Sequence, residues 1–193
     1  LLLRSGSLPT PINIIEERTV GPDLGADSIK SGTLSLIIGF LLVIIYMFYK
    51  YRAFGLIANI SLISNLIMLV GILTLLEATL TLPGIAGIIL TVGMAVDANV
   101  LIFERIREEL RTEKSIIHAF DIGYTKSKIT VLDANITTLI AAIILFFFGS
   151  GPVKGFAVTL AIGIITTLYS AFFIARHLSS WVVLRNKGEN IRL

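Results

Sequence analysis

The sequence contains no cysteine, which removes disulfides, thiolate metal sites and cysteine nucleophiles together. Its two histidines, His118 and His177, are far apart, so no zinc-type constellation can be assembled from them. Charge is scarce as well. Asp, Glu, Lys and Arg make up 15% of the 193 residues, 55% are apolar and the mean hydropathy is +0.89, whereas an ordinary soluble domain is roughly a quarter charged. A soluble domain of that kind is excluded. The formal charge of +3 is a small excess and implies no nucleic-acid partner. No GxxxxGK[ST] loop occurs, so the chain does not itself hydrolyse ATP. An intramembrane aspartyl protease is not indicated either, because Asp97 follows Gly93, Met94, Ala95 and Val96 rather than standing in a GxGD setting. No enzyme activity, metal or organic cofactor is expected. The opening residues from Leu1 lack the basic start and long apolar run of a signal peptide, and the sequence reads as a fragment of a longer chain.

What the sequence has in quantity is long apolar runs. About 20 such residues are needed to cross about 30 Å of hydrocarbon, and five stretches qualify: 31–49, 54–76, 82–103, 130–148 and 153–175. The expected fold is an all-α membrane protein of five transmembrane helices with a short extracytoplasmic amino-terminal tail. The charged turn Lys50, Tyr51, Arg52 separates the first two stretches, a loop with Glu77 and Thr79 the next pair, and Gly149, Ser150, Gly151 and Pro152 the last pair. Residues 1–30, with a strand-like run from Pro11 to Val20 and turn residues Gly21, Pro22 and Gly25, read as the trailing edge of an external domain and its linker. The connection 104–129 carries Ile116, Ile117, Phe120 and Tyr124 at helical spacing, the pattern of an amphipathic helix lying on the inner leaflet. Residues 178–193 read as a cytoplasmic tail.

Lys and Arg set the orientation, because short basic loops stay in the cytoplasm. Twelve fall on one side (Lys50, Arg52, Arg105, Arg107, Arg111, Lys114, Lys126, Lys128, Arg176, Arg185, Lys187 and Arg192), and four on the other (Arg4, Arg18, Lys30 and Lys154). The amino-terminal tail is expected in the periplasm and the carboxyl terminus in the cytoplasm.

One group does not belong in hydrocarbon. Asp97 lies seven residues before Glu104, which places it about 10 Å inside the cytoplasmic boundary at 1.5 Å per residue. A carboxylate there costs several kcal/mol unless paired, hydrated or protonated, and its side chain is too short to snorkel. It shares a helical stripe with Ala86, Gly93, Leu101, Glu104 and Glu108, so an acidic line runs outward to the cytoplasm and marks Glu104 and Glu108 as proton-path candidates. The plainer reading of those two, beside Arg105 and Arg107, is a solvated helix end. The other face, Gly84, Gly87, Thr91, Ala95 and Ala98, is small enough for close helix packing. In the fourth stretch Thr130, Asp133 and Thr137 share a face, and Asp133, Ala134, Asn135 repeat the triplet Asp97, Ala98, Asn99. Ser61, Ser64 and Asn65 in the second stretch, and Thr159, Gly163, Thr166 and Ser170 in the fifth, make further polar stripes. These could surround a hydrated pocket in which Asp97 gains and loses a proton. More commonly such stripes are packing glue, and Asp133 could simply cap a helix near the membrane edge.

Residues 93–109, GMAVDANVLIFERIREE, resemble the SecD-side signature of the SecD/SecF protein-export family. The likeness extends through IIEERTVGPDLGADSIKSG and LDANITTLIAAIILFFFGSGPVKGFAVTLAIGI, and so over nearly the whole chain. The resemblance implies membership of the resistance-nodulation-division superfamily, most of one half-bundle, and a SecF partner that completes a pseudo-symmetric set of twelve helices. It also implies residence in the bacterial inner membrane, assistance to the SecYEG channel with YajC as a further partner, contact with preproteins and lipid, and use of the proton motive force. Carried over by motif, Asp97 is the proton-carrying carboxylate. Asn99, Asp133, Asn135 and Thr137 support it, with a basic residue expected from SecF. A proton-coupled exporter of small molecules or lipids, and a passive scaffold of the translocon, are the alternatives.

Overall fold

In hydrocarbon every backbone N–H and C=O must be satisfied within the protein, and apolar runs of this length do so as helices. The computed structural model describes residues 22–112 and 115–185, and all its regular structure there is helical. The helices are α1 (Pro22–Leu75), α2 (Leu82–Thr112), α3 (Ile116–Phe148), α4 (Pro152–Tyr169) and α5 (Arg176–Arg185), the last two joined by a π-helical stretch, Ser170–Ala175. Among the described residues four rods are long and apolar enough to cross a membrane: Ile29–Leu75, Leu82–Thr112, Ile116–Phe148 and Pro152–Arg185. The first two of the five expected stretches share one of these rods, α1.

That helix is not straight. Arg52 has φ 48° and ψ −114°, outside helical geometry. Fifteen residues of unbroken helix would hold Ile44 and Asn59 about 22 Å apart, yet Asn59 Nδ2 donates to the Ile44 carbonyl at 3.1 Å. So α1 folds back at Arg52 into two limbs, 22–51 and 53–75, and the two apolar stretches lie one on each.

The first limb runs parallel to α2 in fixed register: Gly32 lies by Ile85 and Tyr51 by Glu104, both pairs 53 residues apart. Against α4, α2 is also parallel, with Gly84 and Gly87 at Thr159 and Thr91 at Gly163. A Cβ at Gly163 would collide with Thr91, and one at Gly123 would sit 2.7 Å from Ile106 Cγ1, so these two glycines set how closely α4 and the antiparallel α3 approach α2. The face predicted to pack closely does so: Gly84, Gly87, Thr91, Ala95 and Ala98 are all buried. Ile102, Phe103 and Ile106 continue that face into the main core with Tyr51, Phe54, Phe120 and Tyr124. The outward surface is apolar instead, as on Ile37, Leu41, Leu42 and Ile45 of the first limb.

Three expected boundaries change. The helix α1 begins at Pro22, ahead of Ser31, since a proline without its N–H suits a first helical turn; the strand-like run 11–20 lies outside the described residues. Residues 104–129 form no separate interfacial helix. Of the described residues there, 104–112 end α2 and 116–129 begin α3, and Phe120 and Tyr124 face the protein core. Residues 178–185 of the expected tail belong to α5 and bury Ser179 and Val183, and 186–193 lie outside the described residues.

Candidate functional site

Helical spacing decides what surrounds Asp97. On α2 the exposed stripe runs through Ala86, Leu90, Gly93, Asp97, Leu101 and Glu108, while Gly84, Gly87, Thr91, Ala95, Ala98 and Ile102 turn into the bundle. Opposite, α3 presents Val131, Ala134, Asn135 and Thr138. Together with Met94, Asp97, Ala98 and Leu101 these residues line a cleft of about 220 Å³. Among the described residues no ion pair and no side-chain hydrogen bond reaches the Asp97 carboxylate; Lys50, Arg105, Arg107 and Lys126 are engaged with Glu104, Glu108 and Glu109. Asn135 is buried in the cleft wall. Its Nδ2 donates to the Val131 carbonyl at 2.8 Å, and its Oδ1 has no partner among the described residues. A buried amide oxygen left unpaired costs about 1–3 kcal/mol, so this one favours a hydrated or donor-bearing neighbour.

The other sequence candidates are distributed differently. Asn99 makes the same back-bond, Nδ2 to the Ala95 carbonyl at 3.0 Å, but on the bundle side of α2. Asp133 and Thr137 are exposed on α3 and do not line the cleft; the Thr137 hydroxyl donates to the Asp133 carbonyl at 2.8 Å. Nor does Asp133 cap a helix, since it stands in the middle of α3, whose preceding residue is Ser115. The stripes of the second and fifth stretches do not reach the Asp97 cleft: Thr159 and Gly163 pack on Gly84, Gly87 and Thr91 of α2, and the carboxyl-terminal part of the fifth stretch meets the second. Ser61 Oγ donates to the Ser170 carbonyl at 3.1 Å, and Asn65 Nδ2 to Thr167 Oγ1 at 3.2 Å, so they act as packing glue between α1 and α4.

Residues 6–185 match the model of the family described as protein export membrane protein SecD/SecF, C-terminal. The chain belongs to the SecD/SecF family. It is 55% identical over its whole length to the protein translocase subunit SecD of Magnetococcus marinus, and 60% identical over 91% of its length to that of Desulfurispirillum indicum. It spans about a third of those relatives, 36% and 34% of their lengths. The crystal structure of SecDF, a translocon-associated membrane protein from Thermus, superposes with a TM-score of 0.87 at 45% identity, over 96% of this chain and 26% of the other.

For a SecD/SecF family member the charged end of the bundle is as informative as Asp97. Tyr51 Oη donates to Glu104 Oε1 at 2.8 Å, Lys50 Nζ lies 3.3 Å from the same oxygen, and Arg107 Nη1 lies 3.1 Å from it. Glu104 is thus the clasp between the α1 hairpin tip and α2. Glu108 remains exposed, paired among the described residues with Arg105 alone, at 2.9 Å. Glu109 is paired with Lys126 at 2.8 Å and Arg105 at 3.0 Å. The hydrogen bond from Lys126 holds its carboxyl below the usual carboxylate range, with Arg105 adding to the effect and burial opposing it. A second cleft, of about 480 Å³, opens here between α2 and α3, lined by Leu101, Glu104, Arg105, Glu108, Lys126, Ser127, Ile129 and Thr130. Sequence reasoning missed Lys50 and Tyr51 as partners of Glu104, because nothing local links residues 53 apart. It also chose Thr137 where Thr138 lines the cleft; Val131, Ala134, Asn135 and Thr138, at i, i+3, i+4 and i+7, were the pattern to follow.

Proposed function

We propose that this chain is the membrane portion of a protein-export subunit that couples preprotein movement to the proton motive force, with Asp97 as the proton carrier. The observation that carries the reading is the carboxylate in the α2/α3 cleft, mid-helix and without a counter-charge from the described residues. A charge so placed has a cost that needs a use or a partner. In the bacterial inner membrane the two limbs of α1 each cross once, making five spans with α2, α3 and α4. The end bearing Lys50, Arg107 and Lys126 faces the cytoplasm, and the amino-terminal side faces the periplasm. A SecF-type half covers the open α2/α3 face and supplies a cation. SecYEG, with YajC, receives the work. Protons are the coupling species, and no catalytic chemistry on the preprotein is involved.

Protonating Asp97 removes its attraction to that cation and lets the two halves repack, a two-state device biased by one charge. One charge moving through 100 mV supplies about 2.3 kcal/mol, roughly a 50-fold bias. The deciding experiment compares wild type with Asp97→Asn in the full-length assembly, measuring preprotein export with and without a proton gradient. The variant is expected to lose the gradient-dependent part while its partner still co-purifies. Full stimulation by the variant overturns the reading.

A further inference from the structure

We infer that Leu101 is the hydrophobic gate between Asp97 and the cytoplasm, and that protons leave along the α2/α3 groove past Glu108 rather than past Glu104. The inference rests on the proton-carrying role proposed above and adds a route and a gate to it. Two clefts lie end to end in one groove between antiparallel helices. The inner one holds Asp97 and the unpartnered Asn135 Oδ1; the outer one holds Glu108, Lys126, Ser127 and Thr130. Leu101 lines both. It stands one helical turn beyond Asp97 on the same exposed stripe, so its side chain occupies the passage between an acid and a polar vestibule. From α3, Val131 walls the inner cleft and Ile129 the outer, which makes the constriction apolar on both sides. An apolar constriction of this kind controls water, and with it protons, by dewetting.

Glu104 is a poor exit although it lies nearer in sequence. Its oxygens are occupied by Tyr51, Lys50 and Arg107, and it fastens α1 to α2. Glu108 is exposed and, among the described residues, pairs with Arg105 alone. When the gate wets, the Asp97 acid gives its proton to a water of the vestibule, leaving the carboxylate, and the proton passes by Glu108 to bulk cytoplasm.

The test uses the full-length subunit with its partner half in vesicles, under an imposed proton gradient and without preprotein. Leu101→Ala is expected to raise proton flux several-fold, Leu101→Phe to lower it, and Asp97→Asn combined with Leu101→Ala to return it to the vesicle baseline. A second readout does not depend on Asp97. These 193 residues contain no cysteine, so in an assembly whose remaining cysteines are replaced, Thr130→Cys and Ala134→Cys report water access to the outer and inner clefts. A membrane-impermeant thiol reagent on the cytoplasmic side should label Thr130→Cys regardless of residue 101, and Ala134→Cys only when Leu101 is alanine. Equal labelling of Ala134→Cys with leucine in place overturns the gate, as does unchanged flux in both Leu101 variants. Unchanged flux in Asp97→Asn instead overturns the proton-carrier reading, and the labelling pattern still judges Leu101.

Discussion

The triplet Asp-Ala-Asn occurs twice, at 97–99 on α2 and at 133–135 on α3, and the two copies behave alike locally and unlike globally. In both, the aspartate is exposed, and the asparagine is buried with its amide hydrogen-bonded to the carbonyl four residues earlier and its Oδ1 without a partner. The helix dictates that much. Yet the shared cleft takes its aspartate from α2 and its asparagine from α3, leaving Asn99 inside the bundle and Asp133 outside the groove. Identical local chemistry acquires different roles according to which side of each helix its neighbours cover.

The sharpest way to break this contrast is to neutralise each acid in turn. Asp97→Asn is expected to cost up to the roughly 50-fold bias that one charge can supply at 100 mV, and Asp133→Asn a small fraction of it, in gradient-dependent export by the full-length assembly. Equal losses would mean that the outward face of α3 is as functional as the cleft. Next comes the packing that sets the level of α2. Gly163→Ala drives a methyl into Thr91 and should destabilise the bundle by about 1–3 kcal/mol in detergent unfolding. Adding Thr91→Ala should recover part of that loss. If Gly163→Ala proves neutral, α4 does not hold α2 through the Thr91–Gly163 contact.

The asparagines separate the copies more finely. Asn99→Leu, which keeps the volume and removes an already unpaired oxygen, should change stability by under about 1.5 kcal/mol and leave coupling intact. Asn135→Leu should lower coupling roughly two- to tenfold, the worth of one hydrogen bond of about 0.5–1.5 kcal/mol in the cleft. Reversal of that order would show the wrong asparagine has been assigned to the site. The smallest effect concerns Glu109, which lies beyond the apolar run ending at Phe103. Its native carboxyl is held down by Lys126 and Arg105, so its contribution is present above the ordinary carboxylate pKa and lost as pH falls through the native value. Glu109→Gln should lower stability slightly at neutral pH and flatten that acid limb, so that variant and wild type converge as pH falls.

The membrane spans were legible because apolar run length maps directly onto helix length, and Asp97 because a charge in such a run has no ordinary explanation. The continuity of α3 was also written in the chain, though less visibly: from Tyr124 to Phe148 there is neither proline nor glycine to break a helix. What could not be read was rotation. Thr137 and Thr138 differ by 100° on the wheel, and only the position of α2 decides which one meets the cleft. Partnerships such as Tyr51 with Glu104 and Asn65 with Thr167 depend on registers between distant segments, which local periodicity does not encode.

Arg52 carries an implication for how such a protein is made. A non-glycine residue with φ 48° reverses α1, with helix on both sides of it, and conformations of this class cost of order 1–3 kcal/mol. There is no slack at the bend by which one limb could be threaded and parked while the next emerges from the ribosome. The pair should therefore enter the bilayer together as a preformed unit, and an added glycine or two at the tip would be expected to uncouple their insertion.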